Sequence, residues 1–258
     1  MDRSFFNNVR QQTVRLSERE VQLPILYYDV SAFASSFTVP TRLIKGILPS
    51  KHMRPAEILP GRSVVTIAAF EYRDTSVGPY NEVGITIPVL LDPIINLPVL
   101  PLLLEKRYKK LGFYVHHLPV TTKVAHDAGR EVWGYPKFIG EIAFEDKDSV
   151  LTMSLAEKGE LILRVRLDRS AFGGRRPSPY FWDFRTYTIK DGKILKTVVA
   201  TRSLYLRTMK RGASTLELGS HRISGELASW DVAKDSIDTR WMPDFQSILP
   251  EAESRYDQ

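Results

Sequence analysis

The segment GREVWGYPK at residues 129–137 surrounds one lysine with aromatic and apolar residues, a setting that few lysines occupy. Gly134 and Pro136 interrupt the run and predict a turn or bulge that redirects the chain just before Lys137. A lysine acts as a nucleophile only when it is uncharged, and burial among apolar groups disfavours its charged form. The segment therefore fits a buried reactive lysine. Composition alone favours the alternative, a lysine whose aliphatic stem covers the aromatic rings while its amino group reaches water.

The composition of the 258-residue chain is that of a folded protein with a sizeable core. Hydrophobic residues make up 43% of it, which excludes disorder over the whole length. The absence of cysteine excludes disulfides, thiolate metal sites and cysteine nucleophiles, and it suits a reducing compartment, so we expect a cytoplasmic protein. Because the sequence shows no internal repeat and no linker rich in glycine and serine, residues 1–258 are expected to form a single domain.

The charge balance allows several classes of partner. The net charge is +6 and the pI about 9.4, values that suit nucleic acid, an anionic membrane or an acidic substrate. The one compact basic cluster of the sequence, KRYKK at residues 106–110, is more typical of a solvated face than of a binding patch. No nucleic-acid-binding motif is present in the sequence, so we expect no nucleic-acid partner.

Two segments could be mistaken for targeting or membrane elements. Residues 1–20 lack the apolar core of a signal peptide, and their scattered apolar side chains predict a short amphipathic helix. Residues 85–104 are apolar over a length that could cross a membrane, but four prolines and Asp92 interrupt them. We therefore expect no membrane span, and a buried or partner-facing segment instead.

Most of the remaining pattern is that of β-strands. Runs rich in β-branched and aromatic residues occur at residues 63–72, 83–90, 149–155, 161–167, 185–189, 194–200, 202–208 and 214–218. The dipeptides KG at 158–159 and DG at 191–192 separate consecutive runs and predict tight hairpins. Further helices are predicted at residues 40–48 and 97–110. We expect a mainly β (α+β) fold, with a large antiparallel, barrel-like sheet and a few short helices.

Four spaced motifs carry a resemblance to a known family. In chain order they are YNEVGITIPV (80–89), YVH (114–116), GRE (129–131) and YPK (135–137). This series resembles the acetoacetate decarboxylase-like superfamily, and weaker similarity from about residue 27 to residue 250 extends the resemblance over most of the chain. It implies the fold of that superfamily, with Lys137 at the position of the Schiff-base lysine and Glu82 at that of the active-site glutamate.

The resemblance implies Schiff-base chemistry on a keto acid or related carbonyl compound. A neutral Lys137 would form an iminium, and Glu82 would assist proton transfer; acetoacetate decarboxylase is the standard example of a lysine activated by its surroundings. Decarboxylation by a lyase is the leading expectation, with no cofactor. The alternatives are aldolase or dehydratase chemistry through the same lysine, or a non-catalytic protein that binds a small molecule. Family members assemble, so we expect a homo-oligomer.

Three departures from the family pattern bear on the reaction. Phe138 stands where the decarboxylases have a second lysine, and YYDVS at residues 27–31 holds no counterpart of the arginine that faces the substrate carboxylate. An apolar, proline-rich insertion occupies residues 88–111, and we expect it to line an enlarged pocket or a subunit interface. These departures argue against acetoacetate itself as the substrate.

Further residues near these motifs are expected to bind the substrate, namely Tyr114, His116, Arg130, Trp133, Tyr135 and Phe138. A core histidine is an equal alternative for His116, as is simple packing for Tyr114. Arg130 is also expected to pair with Glu131 and hold the lysine-bearing loop. Because adjacent strand residues point to opposite faces, His116 and His117 should diverge. With no further ligand at suitable spacing, we expect no metal site.

Overall fold

The strand-forming runs of the sequence become β-strands in a computed structural model, which describes residues 2–93 and 110–257. The strands are β1 (Gln12–Arg15), β2 (Glu20–Leu23), β3 (Ile25–Pro40), β4 (Met53–Pro55), β5 (Glu57–Leu59), β6 (Arg62–Thr75), β7 (Tyr80–Leu91), β8 (Leu111–His117), β9 (Glu141–Lys147), β10 (Val150–Glu157), β11 (Glu160–Asp168), β12 (Ser178–Lys190), β13 (Lys193–Thr208), β14 (Ser214–Leu218), β15 (Ser236–Leu249) and β16 (Glu253–Asp257). The helices are α1 (Thr41–Lys45), α2 (Lys123–Trp133) and α3 (Arg222–Ser229), with short 3₁₀ helices at Ser4–Phe6 and Arg169–Phe172.

Seven of the described strands close a barrel. They follow one another in the order β6-β7-β8-β12-β13-β15-β3, and the pairing of β3 with β6 completes the ring. Every pairing in the ring is antiparallel except that of β8 with β12, which is parallel. Because strand side chains alternate between faces, each strand sends one set of residues into the barrel and the other outward. The mainly β, barrel-like fold predicted from the sequence is confirmed.

A second sheet packs against the outside of the barrel and buries its outward-facing residues. Its strand order is β14-β11-β10-β9. Met153 and Val165 from this sheet share one buried core with Phe33 and Ile85 from the barrel, and Leu227 of α3 joins them. The barrel wall is therefore supported from outside by apolar packing, which leaves its interior free to hold a cavity.

The two predicted hairpin turns are confirmed. At residues 158–159 φ is 54° and 78°, and at residues 191–192 it is 50° and 71°. Positive φ at both central positions is the geometry of the turn whose twist matches paired strands, and glycine adopts it without a steric cost. The runs predicted at 194–200 and 202–208 are one strand, β13, because its pairing with β12 continues through both.

The predicted N-terminal helix over residues 1–20 is wrong. Ser4–Phe6 forms a short 3₁₀ helix, and β1 pairs with β2 as an antiparallel hairpin. The pairing includes β-branched Thr13 and Val14, residues that favour strands over helices. The apolar side chains of this segment, among them the buried Leu16, serve a hairpin packed on the body and not one face of a helix.

Helix α1 confirms the helix predicted at residues 40–48. The insertion predicted at residues 88–111 stays a prediction; residues 88–91 complete β7, and Leu111 begins β8. Most of the insertion, and with it nearly all of the helix predicted at 97–110, lies outside the described residues. Across the two described ranges, no helix combines the length and the apolar character needed to span a membrane.

Candidate active site

The barrel encloses a cavity of about 360 Å³. Each of the seven strands contributes to its wall, with examples in Tyr27, Phe70, Glu82, Val115, Phe184, Val199 and Phe245. Lys137 and Tyr135 enter the cavity from the loop that follows α2. A cavity of this size falls in the range that accommodates drug-sized molecules, and an apolar wall with a few polar groups is typical of such sites.

Lys137 and Glu82 meet at the wall of this cavity. Nζ of Lys137 donates a hydrogen bond to Oε2 of Glu82 at 2.7 Å, and the two side chains are only 6% and 9% exposed. Enclosing two charges costs desolvation energy, whereas one proton transfer from Nζ to Oε2 leaves both groups neutral. The pair therefore places an amine nucleophile and a base that can take its proton within hydrogen-bonding reach.

Buried tyrosines surround the carboxylate of Glu82. The hydroxyl of Tyr72 donates to Oε1 of Glu82 at 3.2 Å, and the hydroxyls of Tyr27 and Tyr80 lie 3.1 Å apart. Burial, followed by the charge of Glu82, raises the pKa of Tyr72 well above its ordinary value. Burial likewise raises the pKa of Tyr135 to about 12. These hydroxyls stay protonated at neutral pH, so they can donate hydrogen bonds to an oxygen that gains negative charge.

The end of helix α2 directs the lysine into the barrel. Gly134 caps the helix in the left-handed conformation at φ 62°, and its N–H donates to the carbonyls of Gly129 and Arg130. The chain then reverses, and the side chain of Lys137 returns beside Gly129. A Cβ added at Gly129 would lie 2.4 Å from both Cδ and Cε of Lys137. Glycine at this position is thus required by the close approach of the lysine.

Backbone hydrogen bonds hold the loop on both sides of Lys137. The N–H of Leu118 donates to the carbonyl of Pro136 at 3.2 Å, and the N–H of Val120 donates to the carbonyl of Phe138 at 3.0 Å. The loop is therefore anchored like a short strand beside the segment that follows β8. This anchoring limits the positions that the lysine side chain can reach.

Arg130 also holds this loop, but without the predicted partner. Its Nη1 donates to the carbonyl oxygen of Lys137 at 3.3 Å. Glu131 instead accepts hydrogen bonds from the N–H and the hydroxyl of Ser17, at 2.8 and 2.9 Å. The predicted ion pair between Arg130 and Glu131 is wrong, because successive helix residues point in different directions and Glu131 faces the N-terminal hairpin.

The structure brings three of the eight predicted site residues together. Lys137, Glu82 and Tyr135 line the cavity, whereas the other five lie outside its lining, namely Tyr114, His116, Arg130, Trp133 and Phe138. Trp133 is buried, and its Nε1 donates to the carbonyl of Pro250 at 2.7 Å while its ring stacks on Tyr135. Phe138 packs against the core outside the barrel. These two support the site from behind.

Strand alternation explains the positions of Tyr114 and His116. Their neighbours Phe113 and Val115 face the cavity, so Tyr114 and His116 face outward. His117 nevertheless points to the same side as His116, contrary to expectation. The pairing of β7 with β8 shifts register next to these histidines, and the resulting β-bulge reverses the alternation.

The two histidines share one carboxylate on α3. Nε2 of His116 and Nε2 of His117 each lie 2.8 Å from a different oxygen of Glu226. Burial lowers the pKa of His117, although the hydrogen bond with Glu226 opposes this effect. Burial would raise the pKa of Glu226, but the hydrogen bonds from His117 and His116 outweigh it and the pKa is lowered.

This cluster has the residue types of a metal site with two histidines and one carboxylate, and its ligand atoms lie within 4.8 Å of one another. The sequence alone does not reveal this cluster, because Glu226 is 110 residues from His116. The 2.8 Å separations are those of imidazole–carboxylate hydrogen bonds, and ligands on tetrahedral zinc stand roughly 3.3 Å apart. The observed geometry is therefore that of a hydrogen-bonded cluster.

Two further features of the cavity were not predicted from the sequence: Tyr72, and a cluster of two arginines around Asp238. Tyr72 could have been found, since it continues the alternate cavity-facing positions of β6 that include Ala68. The cluster around Asp238 could not have been found from the sequence. Nε of Arg207 lies 2.6 Å from one oxygen of Asp238, and Nε of Arg240 lies 3.1 Å from the other. Only the pairing of β13 with β15 brings Arg207 to this carboxylate.

Comparison with known protein families identifies one that covers most of the chain. The sequence matches the family model described as acetoacetate decarboxylase (ADC) over residues 13–244. Comparison with curated proteins gave no match. Among solved structures, acetoacetate decarboxylase from Legionella pneumophila subsp. pneumophila str. Philadelphia 1 superposes with a TM-score of 0.60 at 19% identity, covering 91% of this chain and 88% of that one.

Two other solved structures give similar values. One, from structural studies of acetoacetate decarboxylase, has a TM-score of 0.59 at 19% identity and covers 91% of this chain and 90% of that one. The enduracididine biosynthesis enzyme MppR, complexed with the condensation product of pyruvate and imidazole 4-carboxaldehyde, has a TM-score of 0.57 at 10% identity and covers 90% and 88%. At these identities the likeness to solved structures shows a shared fold.

Proposed function

Since the chain belongs to the acetoacetate decarboxylase family, we propose that it is a lyase that forms an iminium between Lys137 and a keto acid or related carbonyl compound. The observation that carries this proposal is the contact of 2.7 Å between Nζ of Lys137 and Oε2 of Glu82, at the wall of the barrel cavity. Decarboxylation is the leading reaction. Assembly as a homo-oligomer stays a prediction.

The proposed reaction assigns a role to each group of the pair. Glu82 takes a proton from Nζ of Lys137, and the free amine adds to the carbonyl carbon of the substrate. Glu82 returns its proton to the former carbonyl oxygen, and the loss of that oxygen as water gives the protonated iminium. The bond to the carboxylate then breaks, its electron pair moves into the iminium, and carbon dioxide leaves. A proton from solvent converts the enamine to the iminium of the ketone, and hydrolysis of that iminium releases the ketone and restores Lys137.

The surroundings of the pair favour a reaction that removes charge. An apolar wall destabilises a substrate carboxylate relative to neutral carbon dioxide, which suits decarboxylation. The tyrosine hydroxyls around Glu82, of which Tyr72 is hydrogen-bonded to it, can stabilise the carbinolamine oxygen as it forms.

The second candidate is aldol or dehydration chemistry through the same iminium. The cavity-lining arginines of the described residues, Arg207 and Arg240, both contact Asp238. Each of these arginines therefore already has a carboxylate partner within the protein. The fold shared with MppR, whose structure contains a condensation product of pyruvate, is in keeping with this alternative.

Reductive trapping tests the proposal. The protein is incubated with pyruvate, acetoacetate and longer 3-keto acids, borohydride is added, and the intact mass is measured. We expect a mass increase equal to the reduced adduct, and its loss in Lys137→Ala. Lys123→Ala is the matched control, because Lys123 is 58% exposed and forms surface ion pairs; this variant should be trapped like the parent protein.

The outcomes separate the candidate functions. Release of carbon dioxide together with a Lys137-dependent adduct supports a decarboxylase. The same adduct without carbon dioxide supports aldol or dehydration chemistry. Failure of every carbonyl compound to form an adduct would contradict both, and would favour a protein that only binds a small molecule.

A further inference from the structure

The cavity extends well beyond the contact between Lys137 and Glu82. Along β7, cavity-facing residues follow one another from Glu82 through Gly84 and Thr86 to Pro88. At roughly 3.3 Å per residue, this path is about 20 Å long. A keto acid of three or four carbons bound to Lys137 would leave most of this length unfilled.

Three small residues keep the cavity open beside the reactive pair. Gly84 on β7 pairs with Ala68 on β6, and Ala68 pairs with Ala34 on β3. All three line the cavity, so a large side chain at any of them would project into it. A Cβ added at Gly84 would meet only ordinary contacts, the nearest at 3.4 Å, which shows that the backbone itself does not demand glycine there.

The cavity wall is apolar beside the reactive pair and becomes polar directly beyond these small residues. Phe70, the register partner of Glu82, and Met242 are among the apolar cavity-facing side chains beside the pair. The next cavity-facing residues after Gly84, Ala68 and Ala34 are Thr86, Thr66 and Ser36. Polar groups then appear together: the hydroxyls of Ser36 and Thr66 are 2.9 Å apart, and Asp238, the register partner of Ser36, pairs with two arginines. An apolar ligand would therefore extend no farther than this polar set.

We propose that the substrate is a 3-keto acid with an unbranched apolar tail of about six to ten carbons, a proposal that rests on the function proposed above. The carbonyl carbon bonds to Nζ of Lys137, and the tail lies along the wall formed by Gly84, Ala68 and Ala34. The length follows from the four residue steps between Glu82 and Thr86, roughly 13 Å. An extended chain advances roughly 1.2 Å per bond, so this distance corresponds to about ten bonds.

A chain-length series tests the tail. Trapping rates with borohydride are measured for 3-keto acids of four to sixteen carbons at substrate concentrations below saturation. We expect the second-order rate to rise roughly twofold to fourfold for each added methylene, as the methylene leaves water, and to stop rising at about ten tail carbons. Equal rates across the series would overturn the assignment of the tail while leaving Lys137 chemistry intact.

Two variants that fill the cavity make the test specific. The quantity compared is the trapping rate of an acid with a ten-carbon tail divided by the trapping rate of acetoacetate. Ala68→Phe and Gly84→Val should each reduce this ratio by at least about tenfold, because the new side chain occupies the space of several methylenes of the tail. Ala143→Phe, at an exposed position of β9, is the control and should keep the parent ratio. An unchanged ratio in both cavity variants would overturn the proposal. Absence of any adduct with any acid would instead contradict the proposed function itself.

Discussion

Glu82 and Glu226 are two carboxylates that meet nitrogen bases on opposite sides of the barrel wall. Glu82 contacts Lys137 inside the barrel, where the side chains are 9% and 6% exposed. Glu226 contacts His116 and His117 outside it, with side-chain exposures of 32%, 14% and 15%. The hydrogen-bond distances are nearly the same. The environments differ, because the inner pair opens onto an apolar cavity and the outer cluster lies between β8 and α3.

This comparison shows that pairing alone does not mark a reactive site. Both clusters hold a base beside a carboxylate. In the inner one, little water competes for the charges, and a substrate can reach the amine from the cavity. In the outer one, the hydrogen bonds link a helix to a strand, which is a structural role.

The largest expected effect concerns the base of the inner pair. Glu82→Gln keeps the shape and one hydrogen-bond acceptor but cannot take the proton of Lys137. We expect the rate of reductive trapping to fall by about 10² to 10⁴-fold. The matched variant on the other side of the wall is Glu226→Gln, which should change that rate by less than about threefold. If both variants lose the same amount of activity, the distinction between the two carboxylates is wrong.

A smaller effect is expected from the approach of Lys137 to helix α2. In Gly129→Ala the new Cβ would displace the lysine side chain, and we expect trapping to fall by at least about tenfold through misplacement of the amine. The free energy of unfolding should change by less than about 1 kcal/mol. Alanine is more favourable than glycine in a helix by a similar amount, and this gain offsets the cost of displacing the lysine side chain.

Gly225→Ala in α3 is the control for this variant, because nothing lies within 4 Å of a Cβ added there. Thermal unfolding and trapping are measured on both proteins. Full activity in Gly129→Ala would show that the position of Lys137 is less constrained than its contact with Gly129 indicates.

The smallest effect is expected in the pH dependence of stability. The pKa of His117 is lowered by burial from its usual 6.5, so below about pH 6.5 the unfolded chain binds more protons than the folded protein. Stability is therefore lost as the pH falls from 6.5 toward the lower folded value. The pKa of Glu226 is also lowered from its usual 4.5, which adds to the loss at more acidic pH.

His117→Gln removes the titrating group and should flatten the decline of unfolding free energy between about pH 6.5 and 5. Urea denaturation at several pH values measures this slope. His126→Gln offers a comparison, because His126 is only partly buried and contacts the adjacent Asp127 on the helix surface. A steeper slope in His117→Gln than in the parent protein would contradict the sign of the effect.

Local sequence patterns predicted most of the strands and both hairpins. Alternation of apolar residues and the two glycine-containing turns act over a few residues, so they are visible without a structure. The N-terminal segment was misread for the same reason. Its scattered apolar residues suit a helix or a hairpin, and only the pairing of β1 with β2 distinguishes them.

The contact residues of the candidate site were predicted less well. Alternation around Val115 turned Tyr114 and His116 away from the cavity, and a bulge that depends on β7 turned His117 to the same side. Arg207 and Asp238 meet only through strand pairing. Positions near a motif in the chain are not positions near it in space, because a strand places successive side chains on opposite faces.

The sequence by itself determined the β character of the fold, the family motifs and the lysine most suited to carbonyl chemistry, since each depends on residue types at short spacing. The tertiary structure decided what Lys137 contacts and what surrounds it. The loop that carries Lys137 pairs with the segment after β8, and that segment pairs with β7 at Glu82. These pairings bring Glu82 to 2.7 Å from Nζ, although the two residues are 55 positions apart. Closure of seven strands into a ring creates the cavity, whose dimensions follow from packing between distant strands and from no local pattern.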